Sequence, residues 1–295
     1  THSTIQTVVV AISTKYGIVV YANDFKLDNH PVVGKKPDYP RLKALGDSKK
    51  VLALISDALY ASEEKKTPSE KVAREMLSDV LLGTDNKGHA ILVTTFASHI
   101  ARLKSIIDLG QELDRKVVFM GRSLKKYVNS AENLKLVYFK NKIKLLPYRN
   151  QIKKALKIIE KNRGKYLIAC TGNQGEPNSV LVRIANGEYA FKFIPEDHVI
   201  FSSRTIPAPE NIENRAKLET NLKNKKVRIF KDIHVSGHAA KEDLRDFIDI
   251  LKPKHIIPIQ GTLEILEGLS KLAEEMGYKD ENIHLLNDSA VIELY

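Results

Sequence analysis

The segment His234-Val235-Ser236-Gly237-His238 sets two imidazoles on either side of a Ser-Gly turn, just ahead of a helical pattern at Lys241–Leu251. Backbone N–H groups at a helix start, a hydroxyl and two imidazoles make a cradle for phosphate. An imidazole can also protonate a leaving oxygen. Other polar residues stand directly after short apolar runs: Asp24 after Ile18–Ala22, Asp57 after Val51–Ile55, Thr94, Thr95 and Ser98 after Ala90, Thr171 to Gly175 after Tyr166–Cys170, and Ser202 with Ser203 after Val199. Each one alone reads equally well as a helix cap. Together, on the carboxyl ends of strands, they suit an extended site for an oxygen-rich ligand.

These residues need elements to position them. Thr7–Ser13 and Ile18–Ala22 are β-branched runs around a turn at Lys15-Tyr16-Gly17, which predicts a hairpin. Val51–Ile55 is apolar throughout, as a buried strand would be. From Thr67, an expected N-cap with Pro68 in the first turn, strands and helices alternate. Strands are predicted at Ala90–Thr94, Val117–Met120, Tyr166–Cys170 and Val199–Ser202, and helices at Phe96–Leu109, Ser123–Asn129, from Asn178, and at Pro209–Leu222. Alternation of this kind predicts a mostly parallel sheet covered on both faces. Val227–Phe230 opens a last portion, with a strand at His255–Ile259, a helix at Leu263–Met276, and closing strands at Ile283–Leu286 and Ala290–Leu294.

The chain has 295 residues, about two domains' worth. A hydrophobic content of 43% supports a real core and excludes a disordered chain. No apolar run approaches the roughly 20 residues of a membrane span. The single cysteine, Cys170, excludes a disulfide framework and a zinc site of paired cysteines. A net charge of +11 favours an anionic partner, nucleic acid first. Lysine supplies 35 of the 47 cations, a bias that heat adaptation also produces. Between Lys135 and Lys165 eleven Lys or Arg face one acid, Glu160. Two readings stand for that segment, a solvated helix face and a nucleic-acid track. The chain opens on Thr1 rather than Met, without a signal peptide, and is expected to be cut from something longer.

With these residues in place, a family likeness emerges. Thr1-His2-Ser3, Asn23-Asp24-Phe25-Lys26 and Ser56-Asp57 resemble the second half of a metallo-β-lactamase nuclease domain. Thr95-Phe96-Ala97-Ser98-His99, Gly121-Arg122-Ser123, Thr171-Gly172-Asn173-Gln174-Gly175-Glu176-Pro177 and His234 to His238 resemble the β-CASP branch of that superfamily. In particular they are similar to the ribonuclease J family, in archaeal forms without an extra C-terminal domain. The likeness implies an α/β fold in which residues 1–62 and 225–295 belong to a metallo-β-lactamase αββα sandwich and residues 63–224 form an inserted β-CASP domain. It implies a cytoplasmic zinc-dependent ribonuclease with two ions, acting 5′ to 3′ on 5′-monophosphorylated RNA, with no membrane and with a homodimer as a further expectation. His2 and Asp24 match metal ligands, Asp24 the bridging one. Asp57 matches the acid that pairs with a catalytic histidine, and His238 that histidine, the general acid for the leaving 3′ oxygen. His234, Val235, Ser236, Gly237 and His238 match a phosphate-binding loop, with Ser202 and Ser203 beside the 5′-phosphate.

Two departures qualify the likeness. None of the nine histidines belongs to a His-x-His-x-Asp-His run, which in the family lies upstream of the position matching His2. The expectation is a C-terminal portion that needs its missing N-terminal half as a partner, whether through an interrupted gene, a truncation or a standalone remnant. Such a portion should expose apolar sheet surface. Second, Gln260 stands in Ile257-Pro258-Ile259-Gln260-Gly261 where the family has a zinc-binding histidine. A glutamine amide is a weak, neutral ligand, so one metal is expected to be held loosely or lost. An endoribonuclease of the same superfamily and a non-catalytic RNA-binding paralogue remain as alternatives.

Overall fold

The computed structural model describes residues 4 and 6–294 and falls into two compact units. One ends at Ser69 and resumes at Ser236; the other runs Glu70–Val235. The boundaries read from the sequence, at 62 and 225, fall 7 and about 10 residues before these.

The first unit begins with β1 (Val10–Thr14) and β2 (Gly17–Ala22), an antiparallel hairpin whose turn is closed by the Thr14 hydroxyl, which donates to the Gly17 carbonyl. Helix α1 (Tyr39–Asp47) follows, capped by Asp38, which accepts from the Arg41 N–H. Then comes β3 (Val51–Asp57), parallel to β2. It is apolar and buried on both faces, as a central parallel strand must be.

The second unit is a run of strand–helix pairs. Its elements are α2 (Glu70–Gly83), β4 (Ile91–Thr94), α3 (Ile100–Glu112), β5 (Lys116–Met120), α4 (Arg122–Asn133) and β6 (Ile143–Leu146). After these come α5 (Arg149–Glu160), β7 (Tyr166–Cys170), α6 (Val180–Ala185), β8 (His198–Phe201), α7 (Pro209–Asn224) and β9 (Arg228–Phe230). The chain then returns to the first unit with α8 (Lys241–Leu251), β10 (His255–Ile259) and α9 (Leu263–Glu275).

The first unit's sheet has the order β1-β2-β3-β10, with β10 parallel to β3. Phe247, Ile248 and Leu251 of α8 and Leu269 and Leu272 of α9 are buried in one core with Val20, Leu54 and Ile256 of the sheet. The second unit's sheet, β6-β5-β7-β4-β8-β9, is parallel throughout. Every strand therefore ends at the same edge, where the polar loops collect. Leu92, Met120, Ile168, Leu181 and Phe201 lie in its core.

Several expectations need correction. Thr67 is not a helix cap: α2 starts at Glu70, and Thr67 is engaged elsewhere. The two closing strands are absent among the described residues. Ile283 makes one isolated bridge to Ile256, and residues 290–294 belong to no strand. Val227–Phe230 joins the parallel sheet beside β8 rather than the last portion. The structure adds helix α1 and strand β6, and it places helix α5 inside the basic segment, where a solvated helix face was one of the two readings. On β1 and the residues leading into it, Val8, Val10 and Ile12 are exposed. No helix among the described residues is long and apolar enough to cross a membrane.

A buried histidine makes this fold acid-sensitive. His198 on β8 is fully buried, edge-on to Phe230 at 5.2 Å, and its pKa is pushed down to about 4, first by burial and then by the charge of Arg228. Neither ring nitrogen has a hydrogen-bond partner among the described residues. An unfolded histidine takes its proton near pH 6.5, so between pH 6.5 and about 4 the unfolded chain binds a proton that the native chain refuses. Stability is then present above that window and lost as pH falls through it. Thermal melts at about pH 7 and pH 5 should show a smaller drop for His198→Leu than for the unsubstituted chain.

Candidate active site

In the first unit the carboxyl ends of β2, β3 and β10 bring Asp24, Asp57 and Gln260 to one place, and the loop before α8 adds His238. Asp57 ends β3, is 1% exposed, and accepts from the Leu59 N–H through Oδ1. Its Oδ2 lies 2.6 Å from Nδ1 of His238. Nδ1 therefore carries the proton shared with Asp57, and Nε2 is the nitrogen on which proton exchange with a substrate would fall. Asp24 Oδ1 is 3.9 Å from the same Nδ1 and accepts the Gln260 side-chain amide at 2.7 Å. Gln260 thus points its nitrogen at Asp24. The Tyr60 ring stands edge-on to the imidazole at 6.0 Å.

The backbone around this group is held from several sides. Thr67 donates its hydroxyl to the His238 carbonyl at 2.7 Å and its N–H to the Asp243 carboxylate at 2.6 Å. The His238 N–H donates to the Ser236 hydroxyl, and the Ala239 N–H to the carbonyl of Phe25, beside Asp24. The Ala58 N–H donates to the Ile259 carbonyl, tying the Asp57 turn to the Gln260 turn. Burial pushes the Asp243 carboxyl up, against the hydrogen bonds from Thr67 and Ala240 that pull it down.

In the second unit Ser202 and Ser203 end β8 and are buried. The Ser202 hydroxyl donates to the Ile233 carbonyl at 2.8 Å, which fixes the backbone immediately before His234. Arg102, fully buried on α3, donates to the same carbonyl at 3.1 Å and to the Ser202 hydroxyl and carbonyl. It also grips Glu70 with two bonds, 2.7 and 3.0 Å. Burial alone would raise the Glu70 carboxyl, but His99 and Arg102 overcome it and hold Glu70 well below the carboxylate range. His234 is pushed down to about 3, by burial and then by the charges of Arg102 and His99. It is a neutral imidazole at physiological pH, able to hydrogen-bond an anion but not to neutralise one. Val235 is buried.

The structure thus joins Asp24, Asp57, His238 and Gln260 in one unit and Ser202 with the approach to His234 in the other. His2 lies outside the described residues. The loop itself is shared, with His234 and Val235 in the second unit and Ser236, Gly237 and His238 in the first. Sequence reasoning missed Thr67, Glu70 and Arg102 as positioning groups. Their only signal was polar type near an element end, which ordinary caps also give.

Comparison with known proteins places the chain in a family. Residues 88–217 match the family model "Ribonuclease J, beta-CASP domain", and residues 225–286 match "Zn-dependent metallo-hydrolase RNA specificity domain". The chain is 45% identical over 290 residues to ribonuclease J of Methanocaldococcus jannaschii, covering 98% of this chain and 64% of that one. It is 43% identical to ribonuclease J of Pyrococcus abyssi, covering 100% and 65%. The chain belongs to the ribonuclease J family. The bacterial branch of that family is more distant. Ribonuclease J2 of Bacillus subtilis is 32% identical, covering 99% of this chain and 51% of that one. The chain therefore spans a little under two thirds of the archaeal members of the ribonuclease J family that it matches. A solved structure of a protein of unknown function from Enterococcus faecalis shares the fold with a TM-score of 0.56 at 16% identity, covering 88% of this chain and 56% of that one.

The family model that matches residues 225–286 is described as a domain of zinc-dependent metallo-hydrolases, and the residues fit that metal in type. Asp24, Asp57 and His238 each offer one ligand atom, all within 4.8 Å of one another. Carboxylate and imidazole are ordinary zinc donors. Asp57 already serves Leu59 and His238 with its two oxygens, so Asp24 is the carboxylate best placed to take a metal.

The Glu70–Arg102 pair has a measurable consequence. Breaking a buried ion pair from one side leaves an uncompensated charge, at a cost of about 3–5 kcal/mol, whereas replacing both partners with apolar groups costs far less. Urea unfolding should show Glu70→Ala destabilised on that scale. The double change Glu70→Leu with Arg102→Met should be the more stable of the two variants.

Proposed function

We propose that this chain carries the general-acid side and the substrate-holding residues of a zinc-dependent ribonuclease, working 5′ to 3′ from a 5′-monophosphorylated RNA end in the cytoplasm. The observation that carries the reading is the 2.6 Å pair of His238 with buried Asp57, next to Asp24.

Asp57 holds the imidazole in one tautomer and stabilises it when charged, a role carboxylates play beside catalytic histidines elsewhere. Nε2 of His238 then delivers a proton to the leaving 3′ oxygen. Asp24, oriented by the Gln260 amide, would hold metal together with His2, as the family likeness implies. Zinc, when bound, supplies charge stabilisation at the scissile phosphate and activates the attacking oxygen nucleophile. Ser236, Gly237 and neutral His234 offer hydrogen bonds to phosphate, with Ser202 and Ser203 toward the 5′ end. The 295 residues contain no His-x-His-x-Asp-His run, and we read the metal centre as completed by residues outside them.

In zinc-loaded protein that includes such a run, His238→Ala and Asp57→Asn should each lower the single-turnover cleavage rate by about 10²–10⁴. Binding of 5′-monophosphorylated RNA should change little. The purified 295-residue chain should show no zinc-dependent RNA degradation, and robust degradation by it would overturn the reading of an incomplete centre. Comparison of 5′-monophosphate and 5′-triphosphate substrates tests the direction, with the monophosphate expected to be degraded faster.

A further inference from the structure

Helix α8 begins shortly after His238, and the backbone N–H groups at its start are already committed. The His238 N–H donates to the Ser236 hydroxyl, and the Ala239 N–H to the Phe25 carbonyl. The Ala240 N–H donates to the Asp243 carboxylate at 3.3 Å. Lys241 and Glu242 donate theirs to the Glu63 and Lys65 carbonyls, each at 3.2 Å. Tyr60 adds a parallel bridge to Ala240. The helix start that the sequence pattern offered to phosphate is therefore spent on the segment around residues 60–67. What that segment does instead is hold the backbone of the histidine loop.

Asp243 stands in the first turn of α8. A carboxylate there commonly accepts the N-cap N–H as half of a capping box, and capping is its ordinary reading. The geometry ranks another bond first. The same oxygen, Oδ2, lies 2.6 Å from the Thr67 nitrogen and 3.3 Å from that of Ala240. Thr67 is 176 positions away in the sequence, and Asp243 is only 4% exposed. A short bond to a buried carboxylate is the stronger of the two. Thr67 in turn donates its hydroxyl to the His238 carbonyl at 2.7 Å. Pro68 follows Thr67, and a proline confines the residue before it to extended backbone. With its N–H, its hydroxyl and its backbone all held, Thr67 is a fixed post for the His238 peptide.

We infer that Asp243 is a positioning residue for the general acid: through Thr67 it sets where the His238 imidazole stands against Asp57 and the leaving 3′ oxygen. The inference rests on the general-acid reading above and adds what holds that acid in place. Asp57 fixes the tautomer and tilt of the ring through Nδ1, and the Thr67 bond fixes the backbone from which the ring hangs. Both are needed, because a misplacement of about 1 Å costs on the order of 10²-fold in a step that depends on contact.

A leaving group that needs no proton separates positioning from mere folding. The 3′ oxygen must take a proton as its bond to phosphorus breaks. A 3′-bridging sulfur leaves as a thiolate when the P–S bond breaks, since a thiol ionises near pH 8.5 or about that. Single-turnover cleavage of the two RNAs is compared in zinc-loaded protein that includes a His-x-His-x-Asp-His run. Asp243→Ala and Thr67→Val should each slow the oxygen substrate about 10- to 100-fold and the sulfur substrate less than about threefold. Thr67→Ser, which keeps the hydroxyl, should bring the oxygen substrate back to within about threefold of the unsubstituted rate. In the 295-residue chain itself, Asp243→Ala should speed hydrogen exchange at the Thr67 amide at least about tenfold and leave the amides of α9 unchanged. Equal slowing of both substrates by Asp243→Ala and Thr67→Val, or unchanged exchange at Thr67, overturns the positioning role. His238→Ala tells the two readings apart. If it spares the sulfur substrate while the other variants do not, positioning alone falls; if it too slows both substrates equally, the general-acid reading falls with it.

Discussion

The contact between Asp57 and His238 joins residues 181 positions apart, and most of the local structure of the first unit serves to make it possible. The chain leaves that unit at Ser69 and re-enters at Ser236, so the acid and its histidine arrive on segments separated by an entire second unit. Thr67 solves the problem of register. It sits just before the exit and bonds with its hydroxyl to His238 and with its N–H to Asp243, just after the return. Lys26, buried and paired with Asp28, donates to the Pro68 carbonyl and holds the same exit from the Asp24 side. The two chain crossings are stapled together inside one unit. A buried carboxylate can therefore meet a loop imidazole without the second unit having to enforce the distance.

Much of this was readable from residue types. Apolar runs ending in Asp24, Asp57 and Ser202 gave both the strands and their polar ends, because a parallel sheet must expose its carboxyl ends to one side. The pairing of Asp57 with His238 came through family likeness, since nothing in spacing links residues so far apart. Thr67 was misread for a physical reason: Thr-Pro before an acidic residue is a good helix start, and only tertiary partners reveal that its hydrogen-bonding groups are used elsewhere. Arg102 and Glu70 were invisible because a charged residue on a helix reads as solvent-facing until a core closes around it. The closing strands failed because short alternating runs at Ile283 and Ala290 satisfy the pattern without a neighbour to pair with. Only Ile283 finds one, across from Ile256.

Gln260 stands where the family resemblance expects an imidazole, and its loop is held by its neighbours. The amide keeps a hydrogen bond to Asp24 at 2.7 Å, and its neighbour Ile259 still accepts from Ala58. A donor on Asp24 orients that carboxylate and neutralises part of its charge. It gives little to a cation directly, because the nitrogen and not the oxygen is turned inward. The Gln260 turn thus stays tied to the Asp57 turn, while its amide is a weaker metal donor than an imidazole.

The electrostatics of the second unit divide into two kinds. Inside, charge is cancelled: Arg102 is matched by Glu70, and His234 is kept neutral by burial and by the cations near it. Outside, along α4 and α5, charge is left open, with Lys153, Lys157 and Lys161 following one another on the exposed face of α5. Neutral, rigidly held donors discriminate by geometry, because a misplaced anion loses hydrogen bonds and has no charge attraction to compensate. Exposed lysines attract any phosphate and do so less as salt rises. Under the function proposed above, a unit built this way would separate recognition of an RNA end from grip on its length. Heat adaptation could then enrich the exposed lysines without altering the proposed discrimination, because the discriminating groups carry no net charge for those lysines to perturb.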